Sequence, residues 1–193
     1  MGFIDQIKEW DMDLFLGLNS HHNAFFDEVM WQASNKFFWI PLYLLFFYLI
    51  YRKYNWQTAA VSVLFAVLLI VCCDQIANLF KHGFERYRPC KNGDIGSMVH
   101  IVDGYCRSSF SFISGHACSH FGAAIFMGSI LGNKKIFIAL LFWAGLIAYS
   151  RIYLGVHYPS DVVCGAAIGS LIGYGIYRLF MFTIDKYKLP QKT

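Results

Sequence analysis

Charge is scarce in this sequence. Of its 193 residues only 15% are Asp, Glu, Lys or Arg, whereas 57% are hydrophobic and 19% aromatic, and so apolar a chain excludes an ordinary water-soluble domain of this length. Proline is scarce as well, with four in all. No Gly/Ser/Pro linker, low-complexity tract or repeat divides the chain, and a single domain over residues 1–193 is expected. The basic start and apolar core of a signal peptide are missing, because residues 1–35 carry Asp5, Glu9, Asp11, Asp13, Asp27 and Glu28 against Lys8 alone. The net charge of +4 is modest, and its basic residues gather at segment ends and within 81–113 instead of forming a stripe with exposed aromatics. Nucleic acid is therefore not an expected partner.

Long uncharged apolar runs are what the chain does have: 37–51, 58–73, 117–132, 136–150 and 162–182, the last broken only by Arg178. They predict an all-α, polytopic membrane bundle of about five transmembrane helices over 35–182, with the lipid bilayer as solvent. Several runs fall short of the roughly 20 residues that cross a bilayer, so polar continuations such as 74–80 must extend the helices into protected or interfacial surroundings. If five helices alternate, Arg52, Lys53, Lys134, Lys135 and the tail residues Lys186, Lys188 and Lys192 share one side, which the positive-inside rule makes cytoplasmic, with 183–193 a cytoplasmic tail. Lys81, Arg86, Arg88, Lys91 and Arg107 then fall outside, against that rule, and need a reason of their own.

Residues 1–34 are expected to form interfacial helices. Phe3, Ile7, Trp10, Leu14, Phe15 and Leu18 recur at helical spacing opposite Asp5, Glu9 and Asp13, a pattern that fits a helix lying on the outer membrane surface and equally one packed on the bundle.

Three polar clusters lie at the outer ends of the predicted helices. Lys81 and Arg88 are seven residues apart, a spacing that predicts one helix face up to Pro89. Ser114 is placed to cap the helix opened by Gly115 and His116, and a helix N-terminus favours an anion. Arg151 precedes His157 by six residues, and Asp161 lies one turn beyond His157, where a carboxylate can hold one imidazole nitrogen and leave the other as a nucleophile. Alone, the first two clusters read as an ordinary snorkelling basic end and a capped helix, while the third, whose plainer reading is an interfacial histidine, favours the functional one. Together, at one membrane face, three cations, a helix start and two histidines make a site for binding and splitting a phosphate ester.

In these residues the sequence resembles the type 2 phosphatidic acid phosphatase superfamily, whose signature is Lys, six residues, Arg-Pro; then Pro-Ser-Gly-His; then Ser-Arg, five residues, His, three residues, Asp. Lys81 with Arg88-Pro89, Ser114-Gly115-His116, and Ser150-Arg151 with His157 and Asp161 supply it in order, with Ile113 in place of the usual proline and no reacting group lost. The resemblance implies a metal-independent lipid phosphatase without cofactor. His157 is its expected nucleophile, Asp161 orients the ring, His116 protonates the departing oxygen, and Lys81, Arg88, Arg151, Ser114 and Gly115 hold the phosphate. Vanadium-dependent haloperoxidases share this anion site on a larger soluble body, which the composition argues against.

The expected setting is a bacterial inner membrane with the site facing the periplasm. Expected substrates are a lipid A phosphate or undecaprenyl diphosphate, with phosphatidylglycerophosphate or phosphatidic acid behind them; the alternative is a non-catalytic membrane anion binder or transporter. Cys90 and Cys106 are the cysteines of the outer 81–113 loop and are candidates for a disulfide. His116 and His120 are spaced to share a metal, but no third ligand is evident and none is expected. Glu85, Arg86 and Arg107 are expected as solvated loop charges rather than headgroup contacts, and Gly165, Gly169 and Gly173 as a close-packing stripe, within the chain or in a dimer.

Overall fold

The computed structural model describes residues 2–188, without the side chains of Phe3 and Ile4; Lys192 and the Phe3 side chain, both used above, lie outside the described residues. Among these residues the protein is all-α, with seven helices: α1 (Phe3–Asn19), α2 (Ala24–Ser34), α3 (Ile40–Lys53), α4 (Trp56–Phe84), α5 (Gly115–Leu131), α6 (Lys134–Tyr153) and α7 (Pro159–Lys186). α4, α6 and α7, at 29, 20 and 28 residues, are long and apolar enough to cross a membrane, while α3 and α5 are shorter at 14 and 17.

Local chemistry sets the helix ends. Asn55 accepts from Thr58 N at 2.8 Å to open α4, and Asn133 accepts from Lys135 N at 2.9 Å to open α6. Pro159 starts α7 with its φ already set, and α5 stops at Gly132, whose φ of 65° suits a left-handed cap. α4 stops earlier than Pro89 suggested. Glu85 takes a left-handed φ of 46°, and Arg88 follows in extended backbone because a residue before proline is kept out of the helical region. Lys81 and Arg88 therefore do not share a helix face.

α5 and α7 make the closest contact in the bundle. A methyl group at Gly165, Gly169 or Gly173 would collide with the backbone carbonyl of Ser114, Cys118 or Gly122, so the glycine stripe serves packing within one chain. At one end Lys53 Nζ donates to the carbonyls of Ile130 and Leu131, both at 2.8 Å, bringing the basic end of α3 onto the end of α5 and beside the Lys134-Lys135 start of α6. The motif residues all lie at the other end.

α1 resolves the choice between membrane surface and bundle in an unexpected way. Asp11, Phe15 and Asn19 form its buried face, with Phe15 edge-on to Tyr158 at 5.5 Å, while Ile7, Trp10 and Leu14 stay exposed. Asn19 donates to the carbonyls of Ile152, Tyr153 and His100 at 2.8 to 3.2 Å and thereby fastens α1 to the end of α6. Phe15, assigned with the apolar stripe from its spacing, belongs to the packed face.

Candidate active site

The three motif clusters meet at a cavity of about 700 Å³ lined by Lys81, Arg88, Gly115, His116, Arg151 and His157. Lys81 comes from the last turn of α4. His116 and Gly115 sit in the first turn of α5, whose N-cap Ser114 is fully buried and also donates its own N–H to Asp161 O at 3.0 Å, tying the starts of α5 and α7 together. A methyl at Gly115 would stand 3.9 Å from Lys81 Nζ, which measures how closely the cation approaches the bare helix start.

His157 sits in the short connection between α6 and α7, buried at 3% exposure. Its Nδ1 faces Asp161 Oδ2 at 3.4 Å, and its Nε2 lies 3.2 Å from Arg88 Nη1. A guanidinium can only donate, so Nε2 is the acceptor and the ring proton belongs on Nδ1, towards the carboxylate. Burial pushes His157 well below the ordinary imidazole range, and the charges of Arg88, Arg151 and Lys81 push it further the same way. Both effects favour the neutral ring, whose Nε2 lone pair faces Arg88.

Arg88 is held on four other sides. Nε donates to Ser109 O at 2.7 Å, Nη1 to Val156 O at 2.8 Å, and Nη2 to Ser109 Oγ at 3.0 Å and Phe110 O at 3.1 Å. Arg151 is 1% exposed; it donates to Ser34 Oγ of α2 and, at 3.4 Å, to Tyr105 Oη, while its buried Nε has no partner among the described residues. Tyr105 also accepts from Arg107 Nε at 2.7 Å. Burial alone would raise the Tyr105 hydroxyl, but Arg151 and Arg107 outweigh it and hold the group below the usual phenol range. A disulfide joins Cys90 and Cys106, with Cα atoms 6.1 Å apart, and so anchors the loop that carries Tyr105 beside Arg88.

Buried donors, a neutral histidine and a bare helix start are a cradle for an anionic group that a nucleophile can attack. Residues 59–185 match the PAP2 superfamily. The chain belongs to that superfamily. It is 34% identical to the lipid A 4'-phosphatase of Bacteroides thetaiotaomicron over 90% of its own length and 78% of that protein. The crystal structure of Aquifex aeolicus LpxE superposes with a TM-score of 0.65 at 26% identity, covering 86% of this chain and 93% of that one. The transmembrane PAP2-type phosphatidylglycerolphosphate phosphatase of Bacillus subtilis superposes at 0.64 with 23% identity, over 94% and 87% of the two chains, and shows the shared fold. Membership, together with the apolar helices, makes this a multi-pass integral membrane lipid phosphatase and a phosphoric monoester hydrolase.

Within this PAP2 chain, Arg86 corrects an expectation. It is no solvated loop charge, since it bonds Asp161 Oδ1 at 2.8 Å and Asp11 Oδ2 at 2.7 Å and lies 3.8 Å over the Tyr158 ring. His120, one turn after His116, turns Nδ1 to the His116 carbonyl at 2.8 Å. The sequence assigned no site role to Ser34, Tyr105 or Asp11, and it took Arg86 for a solvated charge. Only Asp11 left a trace in the sequence, because it shares the i, i+4, i+8 interval with Phe15 and Asn19.

Proposed function

We propose that the protein removes a phosphate from the headgroup of a membrane lipid through a phosphohistidine on His157. Supporting this most directly is the line of Arg88, His157 and Asp161, with the neutral Nε2 presented beside the buried cations. Nε2 attacks phosphorus; the P–O bond to the lipid breaks, and His116 delivers a proton to the departing oxygen. Water, giving its proton to His116, then cleaves the P–N bond and releases inorganic phosphate. As Nε2 bonds to phosphorus, Asp161 holds the Nδ1 proton, and the Arg88 donor that faced Nε2 is freed for a phosphate oxygen. Arg151, Lys81, the Ser114 hydroxyl and the Gly115 N–H hold the other oxygens as negative charge develops.

Lipid A is the favoured substrate, acting at its 4'-phosphate, in line with the Bacteroides relative's activity. Undecaprenyl diphosphate, phosphatidylglycerophosphate and phosphatidic acid remain the competitors. In this reading α3 and α5, completed by flanking residues, are membrane passes beside α4, α6 and α7, and with five alternating passes the positive-inside rule favours a site facing the periplasm of a bacterial inner membrane. The Cys90–Cys106 bridge suits that oxidising compartment. The test compares phosphate release from these four purified lipids in detergent, using wild type and His157→Ala. Release from lipid A alone, absent in the variant, is expected; wild-type rates in His157→Ala would remove the nucleophile, and preference for another lipid would replace the substrate.

A further inference from the structure

We propose that Asp11 of α1 and Arg86 beyond α4 are positioning residues that hold the Asp161 carboxylate in register with His157. The inference rests on the reading of His157 and Asp161 as the catalytic pair.

Asp161 has two oxygens with different duties. Oδ2 accepts from Tyr158 N at 2.9 Å and faces His157 Nδ1, whereas Oδ1 accepts from Arg86 Nη1 at 2.8 Å. The Asp carboxyl torsion is broad and roughly two-fold, so bonds on one oxygen alone would leave the other free to swing. Arg86 fixes the second oxygen and with it the plane of the group.

Arg86 is itself held in place. Nη1 also donates to Ser160 Oγ at 2.8 Å, Nη2 donates to Asp11 Oδ2 at 2.7 Å, and the guanidinium is stacked on Tyr158. Asp11 additionally accepts from Ser160 N at 2.9 Å and from Ser160 Oγ. One carboxylate on α1 thus grips both the guanidinium on Asp161 and the residue that precedes Asp161 in the chain. The two carboxylates are withdrawn from water, Asp11 at 8% exposure and Asp161 at 0%, while Arg86 between them keeps 23%, so losing the guanidinium leaves both carboxylates without their cation. Neither Asp11 nor Arg86 is among the residues lining the substrate cavity. Their influence on turnover must pass through Asp161.

α1 lies outside the residues that match the superfamily, 59–185. This chain therefore uses its amphipathic N-terminal helix to complete the support of a site built from the bundle. Ile7, Trp10 and Leu14 of α1 stay exposed, and its packed face, with Phe15 between Asp11 and Asn19, carries Asp11 to the support of the catalytic pair.

The test measures kcat, KM and inhibition by inorganic phosphate for purified, detergent-solubilised variants, on whichever lipid phosphate the wild type turns over fastest. Asp11→Asn and Arg86→Gln should each lower kcat about tenfold and leave KM and the phosphate inhibition constant within about twofold, since the cradle is untouched. The double variant should be no more than about twofold worse than the weaker single one, because both act through one carboxylate. Asn19→Ala, which loosens the same helix at its other end, should lower the unfolding temperature and keep kcat within about twofold. Wild-type kcat in Asp11→Asn overturns the proposal, as does an equal kcat loss in Asn19→Ala or a loss that falls on KM and phosphate binding instead. Should Asp11→Asn fail to fold, Ser160→Ala, which cuts one link and keeps both charges, must lower kcat without altering KM, and an unchanged kcat overturns the proposal. His157→Ala separates the two levels: if it is inactive while Asp11→Asn is normal, only the positioning role falls, and if it is active the catalytic pair falls with it.

Discussion

Arg88 commits four of its hydrogen bonds to Ser109, Phe110 and Val156 and turns the remaining donor on His157 Nε2. That arrangement fixes the imidazole tautomer and leaves one cationic donor that phosphate can take over without moving the guanidinium. The same surroundings set the pH response. Burial and the charges of Arg88, Arg151 and Lys81 hold His157 well below its ordinary value, so the ring stays neutral as pH falls until that lowered value is reached. The acid limb of kcat/KM should therefore have its midpoint below about 6.5, the value of an unperturbed imidazole. A pH–rate profile whose acid limb centres at or above that value would contradict the neutral nucleophile. The motif residues were legible because their chemistry and order are short-range facts of the sequence. Arg86 was not, since a loop arginine looks the same whether it meets water, as expected, or the two carboxylates it binds.

Among the elements, the α5–α7 pair shows how much a glycine's place matters. Gly169 faces the Cys118 carbonyl across the contact, whereas Gly175 has nothing near its missing side chain. Gly169→Ala should force the helices apart and destabilise the protein by about 1–3 kcal/mol. Gly175→Ala, on an open face, should be neutral or stabilise by roughly 0.5–1 kcal/mol through helix propensity. Thermal unfolding in one detergent checks both, and equal effects would refute the packing role. The regular Gly spacing announced close packing but not its partner. For α4 the sequence marked the polar continuation through 74–80 correctly and misjudged its end, because Glu85 leaves the helix before Pro89 requires it. On α1 periodicity found an amphipathic helix yet assigned Phe15 to the wrong stripe, since a polar pair, Asp11 and Asn19, marks the buried face.

At the scale of the whole molecule, the cavity runs from the cations at the motif-bearing end to aliphatic and aromatic walls from α3, α4 and α5, including Ile40, Phe47, Ala66, Val67 and Met127. Neighbouring α4 residues Leu64 and Ile70 are 69% and 54% exposed on a helix apolar enough for the bilayer, which suits a substrate that keeps its chains in lipid while its phosphate reaches His157. Ala66→Trp should narrow that path. It should raise KM for a long-chain lipid phosphate about tenfold or more and leave hydrolysis of a short, water-soluble phosphate ester within about twofold. An equal effect on both esters would show that the chains do not lie along α4.

The amino-acid sequence by itself determined the solvent, the helical class and the candidate site residues, since apolar runs need a bilayer and three short motifs carry Lys81, Arg88, Ser114, Gly115, His116, Arg151, His157 and Asp161 in order. Which residues support those groups was decided only by the tertiary structure. Asp11 reaches Arg86 and Ser160, Ser34 reaches Arg151, and Tyr105 reaches Arg151, across 46 to 149 residues of chain. Periodicity can say that a polar side chain is placed on a face, but its partner is selected by how the helices pack. A buried charge must be matched wherever the fold leaves it, and that place is fixed only when all the helices are together.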